Sequence, residues 1–273
     1  MTLNCKGQLI SLEHPLVMGI LNITPDSFYD GGRYEKPKEV LIQTEKMLQE
    51  GAAFIDVGAY SSRPGADHVP EEEELSRILP IVEILLKEFP GVLLSIDTFR
   101  STVARKCIEA GAAMVNDISA GSMDPAMIAT VGELKVPYVM MHMRGTPQTM
   151  KGLTDYVDLM KSIMYYFSEK IARAREAGIV DLIIDPGFGF AKTLEQNYEL
   201  LKNLHLLKHL DYPLLAGLSR KSMIYRLLDL GPEEALNGTT ALHMYSLTKG
   251  ANILRVHDVK EARECVELYQ QLS

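Results

Sequence analysis

The sequence contains no tryptophan and only three cysteines. Cys5, Cys107 and Cys265 are odd in number and widely separated, so they indicate a reducing compartment and not a disulfide framework or a zinc site. Apolar runs of about 18 residues, the length of a membrane span, are also absent. The first twelve residues lack the basic and then apolar pattern of a signal peptide. We therefore expect a cytoplasmic protein.

Positive charge is scarce as well, because the chain has a formal net charge of −8. Its longest run of one sign, residues 71–74, consists of four glutamates and suits the first turn of a helix, where carboxylates are favoured. Nucleic-acid binding needs a basic face, so nucleic acid is a poor candidate partner. An anionic small molecule stays open, since a few local cations can line a site in an acidic protein.

Eight short apolar runs, each followed by a polar or glycine-rich turn, divide the 273 residues into similar units. Continuous apolar runs are typical of strands buried on both faces. The helical patterns between them predict a parallel sheet, and eight units in about 250 residues indicate a (β/α)8 barrel. A doubly wound open sheet is the structural alternative. The predicted strands are residues 16–22, 54–58, 92–97, 114–117, 138–142, 182–185, 214–217 and 253–257.

Helix and turn signals refine this prediction. Thr154 is a candidate N-cap for a helix that ends near Gly178. Residues 3–12 form a predicted hairpin around Lys6 and Gly7 that closes the lower end of the barrel. No linker or break in composition is visible, so residues 1–273 are predicted to be one domain. The apolar stripe of the predicted helix consists of Val157, Met160, Ile163, Met164, Phe167 and Ile171, and helices are also expected to begin at Pro37, Pro70, Pro125 and Pro232.

Cations cluster after the last two predicted strands, which is where many barrels of this kind bind phosphate. Ser219 and Ser222 open a predicted helix there, whose free N–H groups favour an anion. This pattern predicts a phosphate or pyrophosphate site, and the alternative is a set of surface salt bridges. The cations are Arg220, Lys221, Arg255 and His257, with Arg63 approaching from the second strand.

Asp97, Asn116 and Asp185 each follow a strongly apolar run, so their side chains are expected to be desolvated in the barrel mouth. Buried carboxylates need donors, and this set suits a heterocycle with amino and ring N–H groups. The alternative is an internal pair, such as Asp97 with a lysine or arginine of the barrel. A metal cage of Asp97, Asp117, Asp185 and His257 is less favoured, because no ligand spacing supports it. Phe190 either stacks on an aromatic substrate or caps the core, and His142 is predicted to be core.

Seven motifs at strand ends, taken together and in order, make the chain resemble the dihydropteroate synthases over almost its whole length. Any one of them alone would be weak. The motifs are Gly19-Ile20-Leu21-Asn22-Ile23-Thr24-Pro25-Asp26-Ser27-Phe28, Ser62-Arg63-Pro64-Gly65, Ser95-Ile96-Asp97-Thr98, Asn116-Asp117, Asp185-Pro186-Gly187-Phe188-Gly189-Phe190, Ser219-Arg220-Lys221-Ser222 and Leu254-Arg255-Val256-His257-Asp258-Val259.

The resemblance implies a single pterin-binding (β/α)8 domain that joins a hydroxymethyl dihydropterin pyrophosphate to 4-aminobenzoate. It further implies magnesium as cofactor, a homodimer and a sulfonamide target. Residues matching the family's pterin site are Asp97, Asn116, Met140, Asp185, Phe190, Gly217 and Lys221. Those matching its pyrophosphate site are Asn22, Ser62, Arg63, Arg255 and His257, with Asn22 also at the metal. Those matching its aminobenzoate site are Pro64, Phe190, Ser219, Arg220 and Ser222. The catalytic assignments are Asp97, Asp185, Lys221, Arg255 and His257.

Two departures from the family pattern affect one loop. Tyr60 and Ser62 stand where the family commonly has glutamate and threonine, so that loop loses a carboxylate but keeps a hydroxyl. Two other functions stay open, a pterin-binding methyltransferase domain acting on methyltetrahydrofolate and a catalytically silent subunit. Lys221 and Arg255 argue against both, because neither function requires a site for a pyrophosphate leaving group.

Overall fold

A computed structural model describes residues 1–23, 35–60 and 69–272, and most of this chain lies in short strands and helices. The strands are β1 (Thr2–Cys5), β2 (Gln8–Ser11), β3 (Leu16–Asn22), β4 (Phe54–Gly58), β5 (Leu94–Asp97), β6 (Met114–Asp117), β7 (Tyr138–Met141), β8 (Leu182–Asp185), β9 (Leu215–Ala216) and β10 (Ile253–Val256). The helices are α1 (Glu35–Gln49), α2 (Glu71–Glu88), α3 (Ser101–Ala110), α4 (Met127–Leu134), α5 (Leu159–Glu176), α6 (Leu194–Lys202), α7 (Ser222–Leu228), α8 (Leu236–Thr248) and α9 (Val259–Leu272).

Strands β3 to β10 form one parallel sheet, in the order β8-β7-β6-β5-β4-β3-β10-β9. A parallel bridge between Ile184 and Leu214 joins the two ends of this order, so the sheet curls into a barrel with the helices outside. The predicted (β/α)8 fold is therefore confirmed. Four strands have the predicted bounds; the other four are shorter, most of them at the carboxyl end, because regular pairing stops where the chain turns into the loops above the barrel.

Side chains along each strand alternate between the barrel interior and the helical layer. Met18, Phe54 and Ile183 belong to a buried cluster at the lower end of the barrel, and Leu3 and Cys5 of the β1–β2 hairpin pack in the same cluster. The hairpin turns at Lys6 and Gly7, whose φ angles of 56° and 83° are those of a tight two-residue turn. The prediction that the hairpin closes the lower end is thus confirmed.

Helix α5 begins later than the sequence predicts. Its N-cap is Asp158, whose carboxylate accepts a hydrogen bond from the Lys161 N–H at 2.9 Å, so the assignment of Thr154 was wrong. Val157 precedes the helix and is fully exposed, whereas Met160 and Phe167 of the predicted stripe are buried. An aspartate is a strong N-cap when it reaches the free N–H groups of the first turn, and here it overrides the earlier threonine. Within the described residues, no helix is both long and apolar enough to cross a membrane.

Candidate active site

Polar side chains from several strands meet inside the upper half of the barrel around Arg255 of β10. Its Nε donates to Asp56 Oδ2 and its Nη2 donates to Asp97 Oδ2, both at 2.6 Å. Asn116 Nδ2 donates to the same Asp56 oxygen at 2.9 Å. Asp97 and Asn116 were predicted from the sequence, and the structure joins Asp97 to Arg255 directly and Asn116 to Arg255 through Asp56.

Asp56 is the residue that sequence reasoning missed. It is fully buried in β4, within the segment Phe54-Ile55-Asp56-Val57-Gly58. A lone carboxylate in the interior of a buried strand is itself a signal, because such a group needs a partner. That partner, Arg255, lies 199 residues away, and the segment contains no cation that would reveal the pair.

The internal pair weighed as an alternative for Asp97 is present in the structure. Burial raises the pKa of Asp97 to about 7, with Arg255 opposing this shift and Asp56 adding to it. Burial lowers the pKa of Arg255, but Asp56 and Asp97 outweigh it and raise the value overall. The Asp97 side chain remains 16% exposed whereas that of Asp56 is fully buried. Asp97 therefore faces the barrel mouth, where it can still accept a hydrogen bond from a ligand.

Asp185 and Lys221 form a second charged group beside Gly217. A Cβ atom at Gly217 would lie 3.7 Å from Lys221 Nζ and 3.8 Å from Asp185 Oδ2, so both charges face this glycine. Burial lowers the pKa of Lys221 to about 8, partly offset by Asp185. Burial likewise raises the pKa of Asp185, against the nearby Lys221. A carboxylate and an ammonium are thus held together at the mouth, as a ligand with both donors and acceptors requires.

Phe190 lies at the rim of the same space and not deep in the core. Its ring centroid is 4.9 Å from Lys221 Nζ, a cation–π geometry. The ring is partly buried against a small apolar cluster that includes Tyr60 and Met141. Tyr60 occupies the position where the family commonly has glutamate; its ring packs edge-to-face on Phe99, and its hydroxyl accepts a hydrogen bond from Gln148. Phe190 is therefore placed to cover an aromatic ligand.

The alternation of side chains along β7 corrects the assignment of Met140 to the pterin site. Met140 is fully buried in the core cluster of the helical layer, where it packs with Tyr138 and Ile184, on the outer face of the barrel. Its neighbour Met141 belongs to the apolar cluster at the mouth with Phe190. A shift of one residue in a strand moves a side chain to the opposite face. The structure therefore places Met141, and not Met140, next to the site.

The cations after β9 and β10 do not all converge. Arg220 makes two hydrogen bonds of 2.8 Å to the carboxylate of Asp258, and it also contacts backbone oxygens of residues 232 and 233. Ser219 Oγ accepts a hydrogen bond from the His257 backbone N–H and lies 3.1 Å from His257 Nδ1. His257 itself is exposed at the rim, and Ser222 is the first residue of α7. Arg220 is thus part of an ion pair at the rim, apart from the Arg255 network.

Asn22 ends β3 and pairs in register with Gly58, at the level of Asp97. Ser62, Arg63 and Pro64 lie outside the described residues.

Asp117 points away from the mouth and accepts hydrogen bonds from Ser119, Gly121 and Tyr138, so it joins no cage with Asp97. Across residues 1–23, 35–60 and 69–272, no cluster of three or more histidine, cysteine or acidic side chains could hold a metal ion. His142 is buried, as the core prediction expected.

Known proteins are similar to this chain over nearly its full length. The family profile described as "Pterin binding enzyme" matches residues 18–257. The dihydropteroate synthase of Escherichia coli is 44% identical over 272 residues, covering 99% of this chain and 96% of that protein. The structure of the Yersinia pestis dihydropteroate synthase with a sulfonamide drug superposes with a TM-score of 0.93 at 42% identity, covering 100% of this chain and 99% of that one. The Xanthomonas albilineans dihydropteroate synthase with 4-aminobenzoic acid gives a TM-score of 0.92 at 40% identity, covering 99% and 97%.

Proposed function

Because this chain belongs to the dihydropteroate synthase family, a family of transferases, we propose that it condenses 6-hydroxymethyl-7,8-dihydropterin pyrophosphate with 4-aminobenzoate. The products are 7,8-dihydropteroate and pyrophosphate. The observation that carries this proposal is the cluster of buried and partly buried polar side chains at the barrel mouth, namely Asp97, Asn116, Asp185, Lys221 and Arg255.

The pterin fits this network by charge and by hydrogen-bonding capacity. Its amino group and ring N–H groups need acceptors, which Asp97 and Asp185 supply, while Asn116 offers an amide and Lys221 a donor. These groups are already desolvated and held in place, so little reorganisation accompanies binding. Positive character that develops on the pterin methylene during the reaction spreads into the ring, next to the two carboxylates.

Bond cleavage in this reaction moves negative charge onto pyrophosphate. Arg255 is held by two aspartates in the barrel, and His257, two residues later, is exposed at the rim. Cations fixed in advance stabilise a leaving group as its charge grows. The amine of 4-aminobenzoate is neutral near pH 7, so its attack requires no strong base. We therefore expect a dissociative displacement with no covalent enzyme intermediate.

For the aminobenzoate, the partly buried ring of Phe190 offers an apolar wall at the rim, with Lys221 Nζ 4.9 Å from its centroid. The X. albilineans relative is known with 4-aminobenzoic acid and the Y. pestis relative with a sulfonamide drug. We expect sulfonamides, which resemble the aminobenzoate, to compete at the same wall. The two ligands should then exclude one another in binding experiments.

Magnesium fits the site only together with its substrate. Asn22 supplies one amide oxygen at a strand end, whereas Mg²⁺ prefers six oxygen ligands and commonly takes most of them from water and substrate phosphates. A single side chain therefore suits an ion that arrives with the pyrophosphate ester. When bound, the ion supplies further charge neutralisation to the leaving group.

A homodimer is proposed from the last helices. Large apolar side chains are exposed there, namely Leu227, Leu228, Tyr245, Leu268 and Leu272 on α7, α8 and α9. Helix α8 packs against both α7 and α9, and exposed apolar side chains on adjoining helices favour association. The oligomeric state of the purified chain, measured by sedimentation equilibrium, tests this assignment, and a strictly monomeric chain would contradict it.

The function is tested by pyrophosphate release from the purified chain. The dihydropterin pyrophosphate is supplied with and without 4-aminobenzoate and with and without magnesium. We expect release that depends on both additions and is matched by the formation of dihydropteroate. Tight binding of the pterin without release would contradict the proposal and favour a silent or methyltransferase-like role.

A further inference from the structure

We propose that Lys192 is a positioning residue that sets both Asp185 and Phe190 for the substrates, an inference that rests on the proposed function. Lys192 follows β8 in the loop that contains Phe190, and it is buried. It makes its contacts with the protein itself, on the side of the loop that faces β7. Its action is therefore indirect, through the backbone of residues 187–191.

Three acceptors surround the Lys192 ammonium group. Nζ donates to the Gly187 carbonyl at 2.9 Å and to the Phe190 carbonyl at 3.0 Å. It also lies 3.1 Å from His142 Nδ1. Burial and, to a smaller extent, the charge of Lys192 lower the pKa of His142 to about 2, so the ring is neutral and its Nδ1 can accept. An ammonium group has three donors, and here each of them has one acceptor.

The Gly187 contact extends directly to Asp185. The Gly187 N–H donates to Asp185 Oδ1 at 2.8 Å, so the position of this peptide orients the carboxylate. Gly187 has a φ of 71°, and a Cβ atom there would lie 2.1 Å from the His142 carbonyl oxygen. Only glycine fits so close to β7, and Lys192 then fastens the carbonyl side of the same residue. Asp185 is thereby oriented by a contact on the side of the carboxylate that faces away from the space where the pterin is proposed to bind.

The Phe190 contact fixes the ring at the rim. Neighbouring backbone groups of the loop are also held by side chains, since Tyr156 Oη donates to the Ala191 carbonyl at 3.0 Å and Asn197 Oδ1 accepts from the Gly189 N–H at 2.7 Å. Lys192 binds the carbonyls of Gly187 and Phe190 at once. It therefore couples the residue beside Asp185 to the residue that carries the aromatic wall.

The chemistry of Lys192 argues for a role beyond stability. Burial lowers its pKa to about 7. The charge of Asp185 opposes this shift, whereas the charges of Lys221 and Arg144 contribute to it. A buried cation is costly, and an apolar side chain of similar volume is often as stable or more stable at such a position. The bonds of Lys192 to the carbonyls of Gly187 and Phe190 provide something other than packing, namely a fixed geometry of the loop that the site requires.

The test compares Lys192→Met with Lys170→Met, a matched control. Lys170 lies on helix α5, outside the site. It is also buried, and it donates to a single side chain, that of Ser122. In Lys192→Met we expect the Kd for 6-hydroxymethyl-7,8-dihydropterin and the KM for 4-aminobenzoate each to rise about tenfold, the scale of one lost charged hydrogen bond. The kcat should change by less than about threefold. Lys170→Met should leave both constants unchanged.

A double-mutant cycle separates positioning from a general structural effect. If Lys192 acts through Asp185, Lys192→Met weakens pterin binding about tenfold in the native background but less than about twofold in Asp185→Asn. Equal losses in both backgrounds would overturn the proposal. Should Lys192→Met fail to fold, Tyr156→Phe decides instead, because it releases the same loop at Ala191 with less disturbance. It should raise the KM for 4-aminobenzoate about threefold, and an unchanged KM would overturn the proposal.

Failure of this inference and failure of the proposed function give different results. The native chain is assayed first for pyrophosphate release. If it shows no turnover, the proposed function is contradicted. If it turns over normally and both constants stay native in Lys192→Met, only the role of Lys192 is wrong. Pterin affinity measured by titration calorimetry provides a readout that does not depend on turnover.

Discussion

Arg255 Nε and Asp56 Oδ2 lie 2.6 Å apart inside the barrel, although β10 and β4 are separated in the sheet by β3. The same carboxylate oxygen accepts from Asn116 at 2.9 Å. One buried aspartate therefore holds an arginine proposed to serve pyrophosphate and an amide proposed to bind the pterin. The two substrate regions are mechanically joined at Asp56.

Asp56→Asn is expected to lower kcat/KM by about 30- to 100-fold, equivalent to about 2–3 kcal/mol, because Arg255 loses a charged partner and the new amide competes with Asn116. Steady-state kinetics with both substrates measure this. The matched control is Ser95→Ala, since Ser95 pairs in register with Asp56 and its hydroxyl is buried without a hydrogen-bond partner among the described residues. Native kinetics in Asp56→Asn would show that Arg255 needs no anchor.

Asp185→Asn should weaken binding of the pterin by about 1–3 kcal/mol, because it replaces a charged acceptor with a neutral one. Titration calorimetry with the free dihydropterin measures the change. Asp211→Asn serves as control, since Asp211 is exposed with a φ of 59°, which asparagine tolerates well. An unchanged affinity in Asp185→Asn would remove Asp185 from the site.

Lys221→Ala is expected to reduce turnover by at least about a hundredfold, the loss typical of a preorganised charge. The fold should persist, because burial lowers the pKa of Lys221 to about 8 and the charged form is therefore held at some cost near neutral pH. Kinetics and thermal unfolding are measured together, with the exposed Lys161→Ala as control. A near-native rate would exclude a catalytic role for Lys221.

Because His243 is buried, we expect the free energy of unfolding to decrease in acid. Burial lowers the pKa of this histidine from 6.5 to about 4, with Asp258 opposing the shift. The unfolded chain therefore takes up a proton near pH 6.5 while the folded chain stays neutral, so this contribution is full above pH 6.5 and is lost as the pH falls toward 4. As the pH falls through that window, the free energy of unfolding in urea should decrease less for His243→Leu than for the native chain, by about 1 kcal/mol per pH unit. Parallel curves for the two proteins would contradict the shift.

Asn22→Ala should raise the magnesium concentration needed for half-maximal pyrophosphate release, because one oxygen ligand is lost from an ion that is otherwise held by water and phosphate. Binding of the free dihydropterin without metal should be unaffected, which separates an effect on the ion from an effect on the pocket. The same magnesium dependence in both proteins would remove Asn22 from the metal site. Chelation of magnesium in the native chain should itself abolish release.

The sequence by itself determined the barrel and most of the candidate site. Apolar runs that end in Asp97, Asn116 and Asp185 follow from local periodicity, because a strand buried on both faces needs continuous apolar residues and its polar groups collect at the end. Helix bounds were less certain, since the sequence predicted Thr154 as the N-cap of α5, whereas the geometry of the first turn places Asp158 there.

Only the tertiary structure decided which of these side chains act together. Asp56 and Arg255 are 199 residues apart, and Lys192 and His142 are 50 residues apart, so no local pattern predicts either contact. The face occupied by Met141 likewise depends on the register of β7 in the closed sheet. Hydrophobic periodicity is a property of neighbours along the chain, whereas hydrogen bonds between buried side chains depend on how distant strands are brought together by closure of the barrel.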